Sequence, residues 1–569
     1  MKGWNGKRLL IDLGIQRAWV EEIPVDDLTG YIGGRGLNGK FFIDYVSSKR
    51  PFSSPESPIA FGVGPLAGTL APCSGWTSIS GISDLYSSGY VHASLPGHWG
   101  PQLKFAGFDQ LILQGRAEKP LYVAIEGEKV IFEDGRPLWG KDTVETTVAI
   151  QEERKDRNIE VLCIGPGGEN RVSFANVTNR FSWTGDHVGL GYLLGSKNLK
   201  AIAVHGEQSV DLNDPDRFLR ICLACRERIQ RDPDGKRLKE EGPFFVLRNN
   251  GGGLGIKNYK KSGEPGMAEQ WKTAYFTTYF HGNEGCFSCP IHCGRVTEVD
   301  GNYFGGLHFE SAWSLGPRIG TGDWKKTLLL HRLCQLQGLD PSSFGSLLSW
   351  MMDCYEERLF LTGELEAIPW GDENAGVQLI QWMTGGHELG RILGRGSFHA
   401  AKALGKGLEQ VPHFWGMDLP VRDPRSSKEY ALSRALFPLE WDYLQSLNSN
   451  HQKDETVAAL KGAWGLESRK ILADLNSLCP LVVARLPLLS PSDIIELFSA
   501  ATGREIDGQI LEEAVQKTLR AEKALSQRFK SGDLETDPLP LRFFSDPMER
   551  TLFEKEIAGD EALMEAITL

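Results

Sequence analysis

A chain of 569 residues is too long for one hydrophobic core and predicts roughly two to four domains. Its 41% hydrophobic and 24% charged residues are ordinary for a globular protein, and no apolar run approaches the roughly 20 residues that span a bilayer. The net charge of −12, with no Lys/Arg cluster, excludes a duplex-DNA-binding face and is too diffuse to specify a partner.

The first residues, Met1 to Arg8, are basic, but only a short Leu-Leu-Ile run follows, so no secretory leader is expected and the chain reads as cytoplasmic. Up to about residue 208 the texture is Gly, Ser and β-formers. Strands are predicted at Arg8–Asp12, Gln110–Gln114, Glu160–Ile164 and Ala201–Val204. Leu121–Ile125 and Val130–Phe132 flank Glu126-Gly-Glu-Lys129 as a hairpin. Such a density of short strands predicts sheets with few helices. After Asp211 the pattern turns helical. Asp214-Pro-Asp places an acidic N-cap and a first-turn proline before an apolar stripe. Further helices are predicted at Thr327–Gln337, Pro341–Glu357, Val457–Ala463, Pro491–Ala501 and Asp507–Phe529. The fold class is therefore α+β. The expected domains are a β-rich one (1–208), a helical one (209–410) and a helical C-terminal one (411–569), with no internal repeat in the sequence.

Ten cysteines in a reducing compartment suggest metal ligands rather than disulfides. Cys286-Phe-Ser-Cys289-Pro-Ile-His-Cys293 is a C-x2-C-x3-C array. Its small gaps let three thiolates converge, as a [4Fe–4S] cube requires of one tight loop, with a fourth thiolate from elsewhere. Zinc is the rival reading, with His292 as a nitrogen donor, but no second tight Cys/His pair follows. The best fourth ligand is Cys479, beside a proline at the end of an apolar helix. The remaining six, Cys73, Cys163, Cys222, Cys225, Cys334 and Cys354, read as small buried hydrophobes.

Further segments occur in a fixed order: Gly33-Gly-Arg-Gly-Leu37, Gly64-Pro-Leu-Ala-Gly-Thr69, Leu103-Lys-Phe-Ala-Gly-Phe-Asp109, Ala117-Glu-Lys-Pro120, Ile164-Gly-Pro-Gly-Gly-Glu-Asn170 and Gly195-Ser-Lys-Asn-Leu-Lys-Ala-Ile-Ala203. The cysteine array, Phe309-Glu-Ser-Ala-Trp-Ser-Leu-Gly316, Gly338-Leu-Asp340 and Leu478-Cys479 follow. Together they make the chain resemble the aldehyde ferredoxin oxidoreductase family along nearly its whole length. The resemblance implies an N-terminal β domain as the base for a pterin, enclosed by two helical domains. It implies tungsten or molybdenum held by two pterins, and a [4Fe–4S] cluster on Cys286, Cys289, Cys293 and Cys479. It implies oxidation of an aldehyde or related oxo-group substrate to a carboxylic acid. Electrons would pass through the cluster to a ferredoxin or an iron–sulfur electron-transfer subunit. Partners would then be that carrier and a small molecule, with neither nucleic acid nor membrane, in a homo- or hetero-oligomer. The residues carried over for the pterin are Gly185, Gly189 and Gly191, where backbone approaches phosphate, and Leu339, Asp340, Asp474 and Leu478. Glu310 is the candidate acid/base residue, with His292 and His331 as lesser ones.

Several positions depart from the family pattern. Trp76 and His187 stand where arginines are usual, Ser94 where Asn is common, and Gln335 where the first Asp-x-x-Gly-Leu-Asp motif begins. Leu329 replaces a usual Glu, and Ser477 a usual Gly. Asp423-Pro-Arg425 is present, but Ser426 to Asp442 lack the Gly- and His-containing pattern expected near the substrate. The cluster ligands are intact while the pterin set is altered. Two functions therefore stand side by side: an aldehyde-type oxidoreductase, or a non-catalytic iron–sulfur subunit that relays electrons or acts as a scaffold.

Overall fold

The computed structural model describes residues 1–47, 56–83, 89–180, 183–184, 188–248, 253–263, 266–359, 367–414, 416–426, 456–529 and 543. Its N-terminal part holds two six-stranded sheets. The first contains β1 (Lys7–Asp12), β2 (Arg17–Glu22), β3 (Ile59–Gly62), β4 (Thr77–Ile82), β5 (Tyr90–Leu95) and β6 (Gln110–Gln114). The second contains β7 (Leu121–Glu126), β8 (Lys129–Asp134), β9 (Glu160–Ile164), β10 (Val177–Asn179), β11 (Trp183–Thr184) and β12 (Leu199–His205).

The sheets repeat one topology. The first runs β2-β1-β6-β3-β4-β5, and the second β8-β7-β12-β9-β10-β11. In each, only the pair joining the first and last strands (β1 with β6, β7 with β12) is parallel. A helix precedes the third strand in both halves, Gly34–Ser47 in one and Thr143–Arg154 in the other. The sequence shows no repeat here, but the backbone does. The expectation of few helices is likewise corrected: Gly34–Ser47 is helical despite three glycines, because tertiary packing overrides a weak propensity.

Strand alternation explains the layering. Leu9 and Ile11 of β1 and Leu111 and Leu113 of β6 share one core with Leu121, Val123 and Ile125 of β7 and Leu162 and Ile164 of β9. The intervening Leu10 and Ile112 face away, with Phe42 and Leu525 from two helices. Tyr122, Ala124, Val161 and Cys163 face away on the other side, with Ile150 of the Thr143–Arg154 helix. Period-two apolarity on both faces thus makes helix, sheet, sheet and helix layers.

Beyond residue 208 the described chain is mainly helical. Pro215–Arg231 begins at Asp214, whose side chain accepts from the Arg217 N–H. Pro341–Glu356, Pro491–Thr502 and Gly508–Phe529 lie within one residue of their predicted ends. Thr456–Asn476 is far longer than its predicted core. It packs with Gly508–Phe529 against Gly34–Ser47, so the C-terminal part returns to the first sheet. No helix among the described residues is long and apolar enough to cross a membrane.

Candidate metal centre

The cysteine array closes a hairpin. Strand Phe280–Glu284 pairs antiparallel with Gly294–Val299, and Glu284 lies opposite Gly294. The loop between them carries Cys286, Cys289 and Cys293, each partly exposed. Ser288 and His292 take left-handed backbone (φ 56° and 57°), which bends the loop sharply at two points. The loop is seated on the first sheet's connections. Phe287 donates its N–H to Gly97 O (3.1 Å) and packs edge-on against His98 and Phe105. Gly75 fits between them, since a Cβ there would lie 2.5 Å from Gly97 O and 2.9 Å from Phe287 N.

A second loop brings Cys479 to the same place. The Cys73 N–H donates to Ser288 O at 3.0 Å, and the Cys479 N–H donates to Cys73 O, also at 3.0 Å. One residue thereby joins the hairpin loop to the C-terminal turn. The Cys73 and Cys289 sulfurs are 3.8 Å apart. Cys73, assigned from sequence to the buried structural thiols, therefore lies at the site. The signal missed was a contact spanning 216 residues, which no local spacing reveals. The thiols shape one another's acidity. The Cys73 hydrogen bond, against burial, pulls Cys289 down to about 7. Burial pushes Cys293 up to about 12 and, with neighbouring thiols, raises Cys286 and Cys479 well above the usual range. A bound cation would reverse these upward shifts by favouring thiolates.

The Cys479 turn has a counterpart in the other half. Ser477 N donates to Asp474 O, Leu478 N to Ala473 O, and Cys479 N to Cys73 O. In the same pattern Gly338 N donates to Gln335 O, Leu339 N to Cys334 O, and Asp340 N to Phe174 O. Ser477 (φ 60°) and Gly338 (φ 65°) fill the same left-handed corner. Each turn is clasped by a glycine loop of its own sheet. A Cβ on Gly64 would meet Leu475 O at 2.4 Å, and one on Gly165 would meet Gln337 O at 2.5 Å. Thus Asp474-x-x-Ser-Leu-Cys479 and Gln335-x-x-Gly-Leu-Asp340 are docked equivalently by the duplicated sheets.

The two turns differ in charge. Asp474 is buried, and its carboxylate accepts from Ser94 Oγ at 2.8 Å. His92 Nε2 and Arg35 each lie 3.4 Å from its other oxygen. Burial alone would raise this carboxyl, but the His92 hydrogen bond and the Arg35 charge outweigh it and hold it below the usual range. Burial, helped by Arg35, pushes the His92 imidazole down. Arg35 itself is met by Glu522 (2.7 Å) and Glu467 (3.2 Å). Gln335 carries no charge and donates to Gly305 O at 2.8 Å. Neither Arg35 nor His92 was singled out from sequence, because both partners lie hundreds of residues away.

The other carried-over residues fall as follows. Leu478 and Leu339 are fully buried, and Asp340 caps helix Pro341–Glu356 by accepting from Ser343 N at 2.6 Å. Gly191 donates to Ala175 O, and a Cβ there would meet Asn176 O at 2.5 Å, so its role is close backbone packing. Gly189 supplies a left-handed N-cap to Leu190–Ser196. Gly185 and His187 lie outside the described residues, as does the stretch after Ser426. Glu310 is buried and accepts from Val421 N (2.7 Å) and Ser342 Oγ (3.1 Å). His331 is buried and held neutral, pushed down to about 3 by burial, whereas His292 is exposed. Trp76 is buried and donates its backbone N–H to Ser477 O. Leu329 is exposed at 46% and so cannot stand in for an acid inside the site. Lys104 is engaged by Asp109, and Arg180 by Glu160.

The N-terminal-domain model of aldehyde ferredoxin oxidoreductase matches residues 8–206, and the model of that family's domains 2 and 3 matches 220–567. The chain is 28% identical over 569 residues to the tungsten-containing aldehyde ferredoxin oxidoreductase of Pyrococcus furiosus, covering 96% of this chain and 93% of that protein. It is 26% identical over 474 residues to the WOR-like subunit of an aliphatic sulfonate oxidoreductase from the same organism, covering 76% and 73%. Its fold is similar to that of the active-site complex BamBC of benzoyl-coenzyme A reductase, with a TM-score of 0.83, 19% identity, and coverage of 98% and 94%.

Proposed function

The chain belongs to the aldehyde ferredoxin oxidoreductase family, and on that premise we propose that it is an iron–sulfur oxidoreductase acting on a small aldehyde-type substrate. Cys286, Cys289, Cys293 and Cys479 hold its [4Fe–4S] cluster. The observation that carries this reading is the joining of the hairpin loop and the Cys479 turn through the backbone of Cys73. Two segments remote in sequence present thiols to one place, as a four-thiolate cluster demands. Electrons leave through the cluster to a ferredoxin or an iron–sulfur partner subunit. We further assign three domains, divided near residues 208 and 410.

A tungsten or molybdenum pterin, when bound, would supply oxygen transfer and two-electron acceptance. The described residues fit that group less closely than they fit the cluster. The Asp474 carboxylate is already taken by Ser94, His92 and Arg35, and Gln335 offers no charge in the counterpart turn. In this chain Asp474 holds the Cys479 turn on the first sheet, and Asp340 starts a helix. These observations favour the second reading, a relay or scaffold subunit that keeps the cluster without the substrate chemistry.

Cofactor analysis of protein prepared without oxygen, followed by reduction of a ferredoxin with a panel of aldehydes, tests the two. Pterin-bound tungsten or molybdenum with aldehyde-dependent ferredoxin reduction upholds the enzyme. A full iron complement with neither pterin nor activity upholds the relay.

A further inference from the structure

Resting on the cluster reading above, we propose that Cys73 is a fifth thiol of the metal centre, able to replace Cys289 as ligand to the same iron. Three observations carry it. Cys73 is 1% exposed, and its sulfur lies 3.8 Å from that of Cys289. Two thiolates on one tetrahedral metal, each at about 2.3 Å, stand about 3.8 Å apart, which is the separation of these two sulfurs. The Cys73 peptide is also fixed on both sides, by Ser288 O and by the Cys479 N–H, so its side chain is held among the ligands. A cysteine serving only as a small apolar filler has no need to face a sulfur.

The exchange is a ligand substitution. One iron–sulfur bond to Cys289 breaks, one to Cys73 forms, and the proton of the Cys73 thiol passes to the departing Cys289 thiolate. No electron is transferred. One cysteine thiolate would take the place of another on the same iron, so the site would tolerate loss of one ligand that a four-cysteine site does not.

The test compares five proteins prepared without oxygen: wild type, Cys286→Ala, Cys289→Ala, Cys73→Ala and Cys73→Ala/Cys289→Ala. Iron and acid-labile sulfide are measured, with electron paramagnetic resonance of the reduced cluster, and folding is checked by circular dichroism. Cys289→Val, which has no donor atom, replaces Cys289→Ala if the latter does not fold. The expected result is that Cys289→Ala keeps most of the wild-type iron with a shifted resonance, while Cys286→Ala and the double variant lose it. Loss of iron in Cys289→Ala as deep as in Cys286→Ala overturns the inference and leaves the cluster reading intact. Retention in the double variant overturns it as well. A wild type without iron removes the cluster reading and the inference together.

Discussion

Arg35 is 1% exposed and ringed by Glu467, Asp474 and Glu522, so its charge is stabilised by these partners rather than by water. Arg35→Met would leave the carboxylates buried without their cation, and removal of one member of such a group costs about 3–5 kcal/mol. Denaturant unfolding of the two proteins at neutral pH should show that loss. An unchanged midpoint would mean that water reaches the carboxylates. His331 supplies a pH-dependent effect. Its folded pKa of about 3 lies below the usual 6.5, so the folded state favours the neutral ring. The stability it contributes is complete above about 6.5 and is lost as pH falls from there towards 3. Wild-type stability should therefore fall more steeply than that of His331→Leu between pH 6.5 and 4, by on the order of a few kcal/mol. Parallel pH curves would place His331 in contact with solvent.

At the scale of elements, the paired turns make a prediction about their left-handed corners. Gly338 has φ 65°, and a Cβ on it would lie 2.6 Å from Gly165 N, so Gly338→Ala should destabilise by about 1–3 kcal/mol. Ser477 occupies the matching corner at φ 60° and accepts the Gly64 N–H through its hydroxyl at 2.8 Å. Ser477→Ala keeps the strain and orphans a buried amide, a loss of about 1–3 kcal/mol. Ser477→Gly also loses that bond but relieves about 1–2 kcal/mol of left-handed strain, so it should be close to neutral. Unfolding midpoints that rank alanine above glycine at position 477 would contradict the equivalence of the two turns. Much of this level was legible in the sequence. Gln110–Gln114 and Glu160–Ile164 are strands over their full predicted lengths, since continuous apolar runs between polar boundaries leave little choice. The Gly34–Ser47 helix was not legible, because its glycines argue locally against a helix that packing imposes.

For the whole molecule, the duplication of the sheets is the feature the sequence hides. Identical strand order needs only the same apolar alternation and chain reversals, which many unrelated residues provide. The Gly-rich loops and the two Leu-containing turns are its visible remnants, since backbone contact restricts them to few residue types. The site was legible where covalent spacing determines it, at Cys286, Cys289 and Cys293. It was illegible where distant segments meet, at Cys73, Arg35 and His92. The meeting of the hairpin loop with the Cys479 turn is the proposed seat of a redox centre. Iron and sulfide analysis of wild type and Cys479→Ala, prepared side by side without oxygen, tests this most directly. The expected result is about four irons per wild-type chain, with iron and the broad visible absorption largely lost in Cys479→Ala. A Cys479→Ala protein that is folded and keeps its full iron would contradict it.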